Sequence, residues 1–334
     1  MKQVVAATAI IALIALAGIG AWYFTSSLKS YSGPPESITL GGLVSDANIM
    51  LYTAEDQHFF AENGINLTIK TYDTGLETIN DLLDKKLDIA GSAEYPFVAK
   101  AFEKDNISII ASMSKSYIVY FVGLNSRGIR NVSDIKGKRI GLPMGTILEF
   151  YLGRFLDLHG MSIRDVSMIN IPQGQTTAAI ANGSVDAVVT REPYLSQIRE
   201  QQVNGTVSWS VQSSQAVYSV LICRNDWIKQ HPDQVRRVLN SLAEADGYMV
   251  LHPAEAKAIL QKRYNYDDAY VERAWPENQF SLSLDQSLIT AMEDEGRWMI
   301  ANNLTAEKTI PDFRNYIYTK GLEVVKPDAV NIIG

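Results

Sequence analysis

VSDIKGKRIGLPMGTILEFYLGRFLDL, residues 132–158, holds a complete strand–turn–helix unit. Ser133 and Asp134 mark a short polar helical entry, Lys136-Gly137-Lys138 a basic turn, and Arg139 to Leu142 a brief apolar strand. Pro143 to Thr146 break that strand, because proline gives a ladder no N–H and Gly145 frees the backbone. Thr146 is placed as the N-cap of a helix whose apolar stripe is Ile147, Phe150, Tyr151, Phe155 and Leu158, and which stops at Gly160. Such a turn leaves backbone N–H groups unpaired at the positive end of a helix dipole, with Gly145 open to close approach. It is therefore a candidate anion cradle as well as an ordinary strand-to-helix connection. It is not a P-loop, since no Gly-Lys-Ser/Thr follows.

The same rhythm extends in both directions. Ile38 to Val44 reads as a strand, Ser45-Asp46 as the cap of a helix running to Asn63 with Gly64 at its stop, and Asn66 to Tyr72 as an alternating strand. A helix through Leu76, Ile79, Leu82 and Leu83 follows, then strand Leu87 to Ala90, a helix with Pro96 near its start, and strands Ile107 to Ala111 and Ile118 to Leu124. After Gly160 come strand Val166 to Asn170, helix Gln175 to Asn182, strand Val185 to Val189, a helix from Pro193 and strand Val217 to Cys223. This alternation predicts an α/β fold with helices covering a largely parallel sheet. Beyond it the chain turns helical, over Asp226 to Leu251, Pro253 to Tyr264, Asp267 to Ala274 and Leu284 to Asn303.

An internal echo points to two lobes. Lys86-Leu87-Asp88-Ile89-Ala90 runs on to Glu94-Tyr95-Pro96, and Ser184-Val185-Asp186-Ala187-Val188 to Glu192-Pro193-Tyr194, with the same offset from Asp to Glu. The helical C-terminal block is expected to pack on the first lobe, with Tyr117 to Asn125 and Ala216 to Asn225 crossing between lobes.

With 334 residues, 46% of them hydrophobic and 20% charged, the chain can build two cores, which excludes disorder. A formal charge of −7 argues against nucleic acid or an anionic membrane as the main partner. Cys223 is the one cysteine, which excludes an intramolecular disulfide and a cysteine-rich metal site. Val4 to Phe24 is an uncharged run behind Lys2 that ends in Trp22, Tyr23 and Phe24, long enough to cross a bilayer. Export is expected, with residues 1–25 a signal peptide or an uncleaved N-terminal membrane anchor and 26–36 a tether. Sequons at Asn66, Asn106, Asn131, Asn182, Asn204 and Asn303 are compatible with that location.

Four ordered stretches carry a resemblance: LYTAEDQHFFAENGINLTI from Leu51, DLLDKKLDIAGSAEYP from Asp81, VSDIKGKRIGLPMGT from Val132 and AAIANGSVDAVVTREPYLS from Ala178. The chain from about Ile38 to Arg224 resembles the solute-binding proteins of ABC importers, in the nitrate/sulfonate/taurine branch that includes binders of thiamine-pyrimidine precursors. The resemblance implies a type II periplasmic-binding-protein fold, two α/β lobes joined by two hinge strands. Residues 37–120 and 221–334 would form lobe 1, and 121–220 lobe 2. It also implies a ligand cleft between the lobes, at strand C-terminal ends and helix N-termini, as expected for open α/β sheets.

Carried over onto this chain, the ligand-binding candidates are Val44, Ser45 and Asp46, Thr74 and Gly75, Ser92, Ala93 and Glu94, Ser114, Gly145 and Thr146, and Arg191, Glu192 and Tyr194. Glu94 stands where relatives binding simple anions carry small residues, which disfavours nitrate or bicarbonate. A zwitterion of the sulfonate or taurine kind would set its anion on Gly145-Thr146 and Arg191, and its ammonium near Glu94 or Asp46. The alternative is an uncharged or heteroaromatic vitamin precursor stacked on Tyr95, Tyr117 or Tyr218.

An exported enzyme using cleft carboxylates is the remaining class. His58, His159, His231 and His252 are scattered, without metal-ligand spacing, and no G-x-S-x-G is present. The expectation is a monomeric, periplasmic or cell-surface, non-enzymatic binding subunit without cofactor or metal, handing a small-molecule solute to ABC permease subunits. With three residues ahead of the apolar run, a tethered importer subunit is expected rather than a transmembrane sensor.

Overall fold

The structure, a computed structural model, describes residues 31–201 and 205–333. The apolar N-terminal run, the first part of the tether (26–30) and the sequon asparagine Asn204 lie outside these residues. The other five sequon asparagines are exposed.

Among the described residues the strands form two sheets. The first contains β1 (Glu36–Leu43), β2 (Ile65–Tyr72), β3 (Ile89–Ala93), β4 (Ile107–Ser116), β10 (Val217–Arg224), β11 (Asn278–Asp285) and β12 (Val330–Asn331), in the order β12-β11-β4-β10-β3-β1-β2. The second contains β5 (Tyr120–Leu124), β6 (Arg139–Leu142), β7 (Ser167–Asn170), β8 (Ala187–Thr190) and β9 (Thr206–Ser210), in the order β7-β6-β8-β5-β9. Both sheets are mixed, which corrects the expectation of a largely parallel one. β10 returns from the second lobe and enters between β3 and β4, antiparallel to both. β5 likewise lies antiparallel to β8 and β9. In each case the crossing strand enters its sheet against the direction of the βα units.

The opening stretch folds as its sequence dictates. Thr146 has an extended backbone and its hydroxyl accepts the Leu148 N–H, 3.3 Å away, capping the helix Ile147–Leu158. Gly160 follows that helix with φ +71, the left-handed conformation glycine adopts without strain. Leu158, placed on the apolar stripe, is instead 61% exposed; the buried face runs through Leu152 and Leu156.

The sequence echo has a physical counterpart. The Thr39 N–H donates to Asp88 Oδ2 (2.9 Å) while the Asp88 N–H donates to the Thr39 carbonyl (2.9 Å). In the second lobe the Arg139 N–H donates to Asp186 Oδ2 (3.0 Å) and the Asp186 N–H to the Arg139 carbonyl (2.8 Å). Each aspartate thus fixes the entry of a buried strand, IAGSA or AVVT, against its parallel neighbour.

Several elements differ from expectation. The helix drawn to Asn63 breaks at His58, whose φ of 64 ends Ile49–Asp56 before Phe59–Glu62 begins. The helix drawn over Asp226 to Leu251 is two, because Pro232 starts a new helix after His231. β9 and β11 were not anticipated, and Leu284 belongs to β11, with Asp285 capping the helix Gln286–Ala301.

That last helix belongs to the C-terminal block and packs on the helix Glu94–Phe102 of the first lobe. It also meets the second lobe. Tyr95, Phe150 and Trp298 form an aromatic cluster with centroids 5.6 to 6.2 Å apart, and Gly153 lies under Trp298. A Cβ at Gly153 would fall 2.1 Å from the indole ring. Overpacking costs about 1–3 kcal/mol, whereas alanine returns about 1 kcal/mol of helix propensity, so the clash wins. Gly153→Ala is expected to destabilise the protein by up to about 2 kcal/mol, measured by urea unfolding; a gain in stability would show that the two helices do not pack this way.

Candidate functional site

The lobes meet over a half-enclosed pocket beneath the two crossings, Ser116 to Tyr120 and Ser210 to Val217. The crossings are braced by Gln212, whose Oε1 accepts the Val119 N–H (2.8 Å) while Nε2 donates to the carbonyls of Ser116 (3.0 Å) and Gln215 (3.2 Å). From the first lobe Ser45, Asn48, Asp73, Thr74, Ser92 and Ser219 supply the polar part of the wall. From the second, Thr146, Gln173 and Arg191 face them. The remainder is apolar, with Pro96, Ile118, Val119, Ile147, Val217 and the ring of Tyr218 prominent. The cavity volume is about 70 Å³, and one water needs about 10–15 Å³ on this measure, so the pocket suits a solute of only a few heavy atoms.

Arg191, just beyond the C-terminal end of β8, joins the lobes. Its guanidinium donates to the carbonyl of Val44, to that of Asp73 (3.2 Å) and to its own neighbour Glu192 (3.1 Å). Five N–H groups less these three bonds leave two without a partner among the described residues. Two further polar atoms at the wall have no hydrogen-bond partner among the described residues, Ser92 Oγ and Gln173 Oε1, although each residue is only 1% exposed.

Of the residues singled out from sequence, the pocket wall contains Ser45, Thr74, Gly75, Ser92, Ala93, Thr146 and Arg191. The structure places the others behind it or beside it. Asp46 is buried, its Oδ2 accepting the Tyr270 hydroxyl (2.6 Å), and loss of hydration pushes its pKa up to about 6. Ser114 donates to the Ala47 carbonyl (3.0 Å). Glu192 caps the next helix through Ser196, accepting both its N–H and its hydroxyl at 3.0 Å. Tyr194 lies half-buried beside Gly174. The Val44 carbonyl is spent on Arg191.

Gly145 and Glu94 depart most from expectation. The Gly145 N–H donates to Glu149 Oε2 (2.7 Å), so the chain's own buried carboxylate occupies the anion position at this helix N-terminus. Glu94 is fully buried and accepts the Tyr218 N–H (3.0 Å) behind the wall, beside the equally buried Glu295 of the C-terminal helix. It is therefore not available to an ammonium in the cleft. Sequence reading missed Asn48, Asp73, Gln173 and Ser219. Asp73 adjoins a loop that was selected, and Gln173 follows β7 as its counterpart in the second lobe.

Burial raises the pKa of Glu94 to about 8, and burial together with the charge of Glu94 raises that of Glu295. A carboxyl raised in the folded state binds its proton more tightly there than in the unfolded chain. Its contribution is present below the ordinary value of 4.5 and is lost as pH rises through the raised value. Unfolding free energy should therefore fall between about pH 4.5 and 8, by up to about 1.4 kcal/mol per pH unit for each proton held. Glu295→Gln, which keeps a hydrogen-bond donor beside Glu94, should flatten this slope in urea titrations. An unchanged slope would place the dependence elsewhere.

Comparisons with known proteins agree on the family and the fold. The sequence profile of the family described as NMT1/THI5 like matches residues 47–256. A Brucella abortus chain named as a binding protein is 28% identical over 168 residues, 48% of this chain and 52% of its own; the match thus spans about half of that relative. Among solved structures, the alkanesulfonate-binding protein SsuA of Xanthomonas axonopodis pv. citri, bound to MOPS, superposes with a TM-score of 0.74 at 18% identity, covering 86% of this chain and 100% of that one. The desulfurization enzyme DSZB superposes with a TM-score of 0.65 at 15% identity, covering 88% and 99%. The two mixed sheets are those of the α/β periplasmic-binding-protein fold.

Proposed function

The chain belongs to the NMT1/THI5-like family, and from that premise we propose that it is the exported solute-binding subunit of an ABC importer. It holds a small sulfonate- or taurine-like zwitterion between its lobes and delivers it to a permease, acting as a periplasmic or cell-surface monomer. The observation that carries this reading is the charge of the pocket wall. Its ionisable side chains, apart from Tyr218, are one cation, Arg191, and one carboxylate, Asp73, one from each lobe. A solute with one acidic and one basic group matches both. The acidic end takes the two free guanidinium N–H groups, and the ammonium takes Asp73 in place of Glu94 and Asp46, whose carboxylates serve Tyr218 and Tyr270. Because Arg191 reaches across the cleft, binding favours the closed arrangement of the two lobes.

The apolar wall around Tyr218 favours a second reading, a heteroaromatic vitamin precursor stacked on that ring. Tyr95 is committed to the aromatic cluster and Tyr117 lies outside the pocket wall, its hydroxyl donating to the Ser214 carbonyl (3.4 Å), so Tyr218 would act alone. The fold also serves an enzyme, DSZB. Here the pocket wall contains neither cysteine nor histidine, and Cys223 is wholly buried, its thiol held protonated by loss of hydration.

Titration calorimetry with 2-aminoethanesulfonate is expected to show one site per chain. Asp73→Asn should weaken binding by about 1.5–3 kcal/mol, the worth of a charge-assisted hydrogen bond. Equal affinity in that variant would remove Asp73 from the site, and steady conversion of the solute by purified protein would replace the transport reading with an enzymatic one.

A further inference from the structure

We propose that this chain carries N-linked sugars at Asn66, Asn106, Asn131, Asn182 and Asn303, on the ends of both lobes that lie away from the pocket. This rests on the export part of the reading above. With 43 serines and threonines among 334 residues, chance would put one two positions after about an eighth of the 18 asparagines, giving about two sequons; there are six. The structure separates the five described sequons from the other asparagines. All five are exposed, against five of the other twelve described asparagines. The side-chain Nδ2, the atom that would carry the sugar, donates no hydrogen bond among the described residues at any of the five, whereas it donates at seven of the other twelve. Two sequon side chains are held by their oxygen instead. Asn106 Oδ1 accepts the Asn225 amide (3.0 Å), and Asn182 Oδ1 accepts both the N–H (2.9 Å) and the hydroxyl of Ser184, the third residue of its own sequon. The nitrogen is left uncommitted.

Their placement is a second, independent pattern. In open α/β sheets the ligand cleft lies at strand C-terminal ends, so strand starts lie at the opposite pole. Asn66 is the second residue of β2, whose other end runs on to Asp73 and Thr74 at the wall. Asn106 directly precedes β4, which ends at the first crossing. Asn182 follows the helix Thr176–Ala181 and comes shortly before β8, the strand that delivers Arg191. Asn131 belongs to the segment leading into β6, where the Arg127 carbonyl accepts Lys138 Nζ (2.8 Å), and β6 ends at Pro143 in the wall. Asn303 follows the helix Gln286–Ala301, whose first turn is on the pocket side, Ser287 accepting the Tyr218 hydroxyl (2.7 Å). Sixteen helical residues put Asn303 about 24 Å from that turn. None of the five lines the pocket wall, so sugars there leave the pocket open to its solute.

Attachment joins Asn Nδ2 to the anomeric carbon of a sugar activated as a lipid-linked phosphate ester. The bond from that carbon to the phosphate oxygen breaks, the lipid phosphate leaves with the electron pair, and the amide releases one proton. The sugar donor and the transferase belong to the exporting membrane, and no oxidant or reductant takes part. The test is mass spectrometry of peptides from the full chain purified from the cells that make it, with fragmentation that locates each sugar; protease added to intact cells reports export. Sugar is expected on Asn182 and on at least two of the other four asparagines, and on none outside a sequon. Ser184→Ala, which removes the sequon hydroxyl and keeps the Asn182 amide, should clear sugar from Asn182 and leave the other sites as in the native chain. Exported chain bare at Asn182, or with sugar on fewer than two of the others, overturns the inference and leaves export standing, as does sugar on Asn182 that survives Ser184→Ala. Chain that stays inside the cells unmodified overturns the export reading and this inference with it.

Discussion

The guanidinium of Arg191 crosses from the second lobe to the backbone carbonyls of Val44 and Asp73 in the first, and the pocket depends on that bridge. A planar fork suits the task, because it can hold two carbonyls on the opposite lobe and still turn N–H groups toward a third party. The bridge ends at the loops after β1 and β2, the same strand ends that carry Ser45 and Thr74 into the wall. Behind it the two chain crossings are held in register by the amide of Gln212 and by the Val211 N–H, which donates to the Val119 carbonyl (3.1 Å). On the function proposed above, closure and recognition share one cation.

The carboxylates around the pocket are arranged to leave that cation its role. Glu149 takes the Gly145 N–H, which denies a ligand the helix N-terminus capped by Thr146. Glu94 and Glu295 lie side by side with no cation against them, and a buried pair of this kind is tolerable when a proton is shared. Asp46 is held by Tyr270 in a group of tyrosines that also includes Tyr264 and Tyr266. Of the acids near the cleft, Asp73 is the one at the wall itself.

Local elements were legible in the sequence wherever a short-range pattern determines them. The Thr146 cap, the strand Arg139–Leu142 and the helix Pro253–Tyr264 all follow from neighbours a few residues away, and the repeat of Asp88 and Asp186 showed in the sequence although their partners Thr39 and Arg139 are distant. Strand direction did not follow, because β10 gains its antiparallel place only when the chain returns from the second lobe. β11 was hidden by the helices around it, though Phe280, Leu282 and Leu284 alternate as a strand should. The site was half legible. Loops at strand ends could be chosen, but the direction of Glu94 depends on Tyr218 and Glu295, and Gln173 has no local pattern at all.

Small-angle scattering of the protein with and without 2-aminoethanesulfonate tests the central claim, that a solute in this pocket draws the two lobes together through Arg191. The account predicts a smaller radius of gyration at saturation for the native chain, and no such change for Arg191→Ala. A native profile that stays the same at a concentration where calorimetry shows the site filled would contradict it.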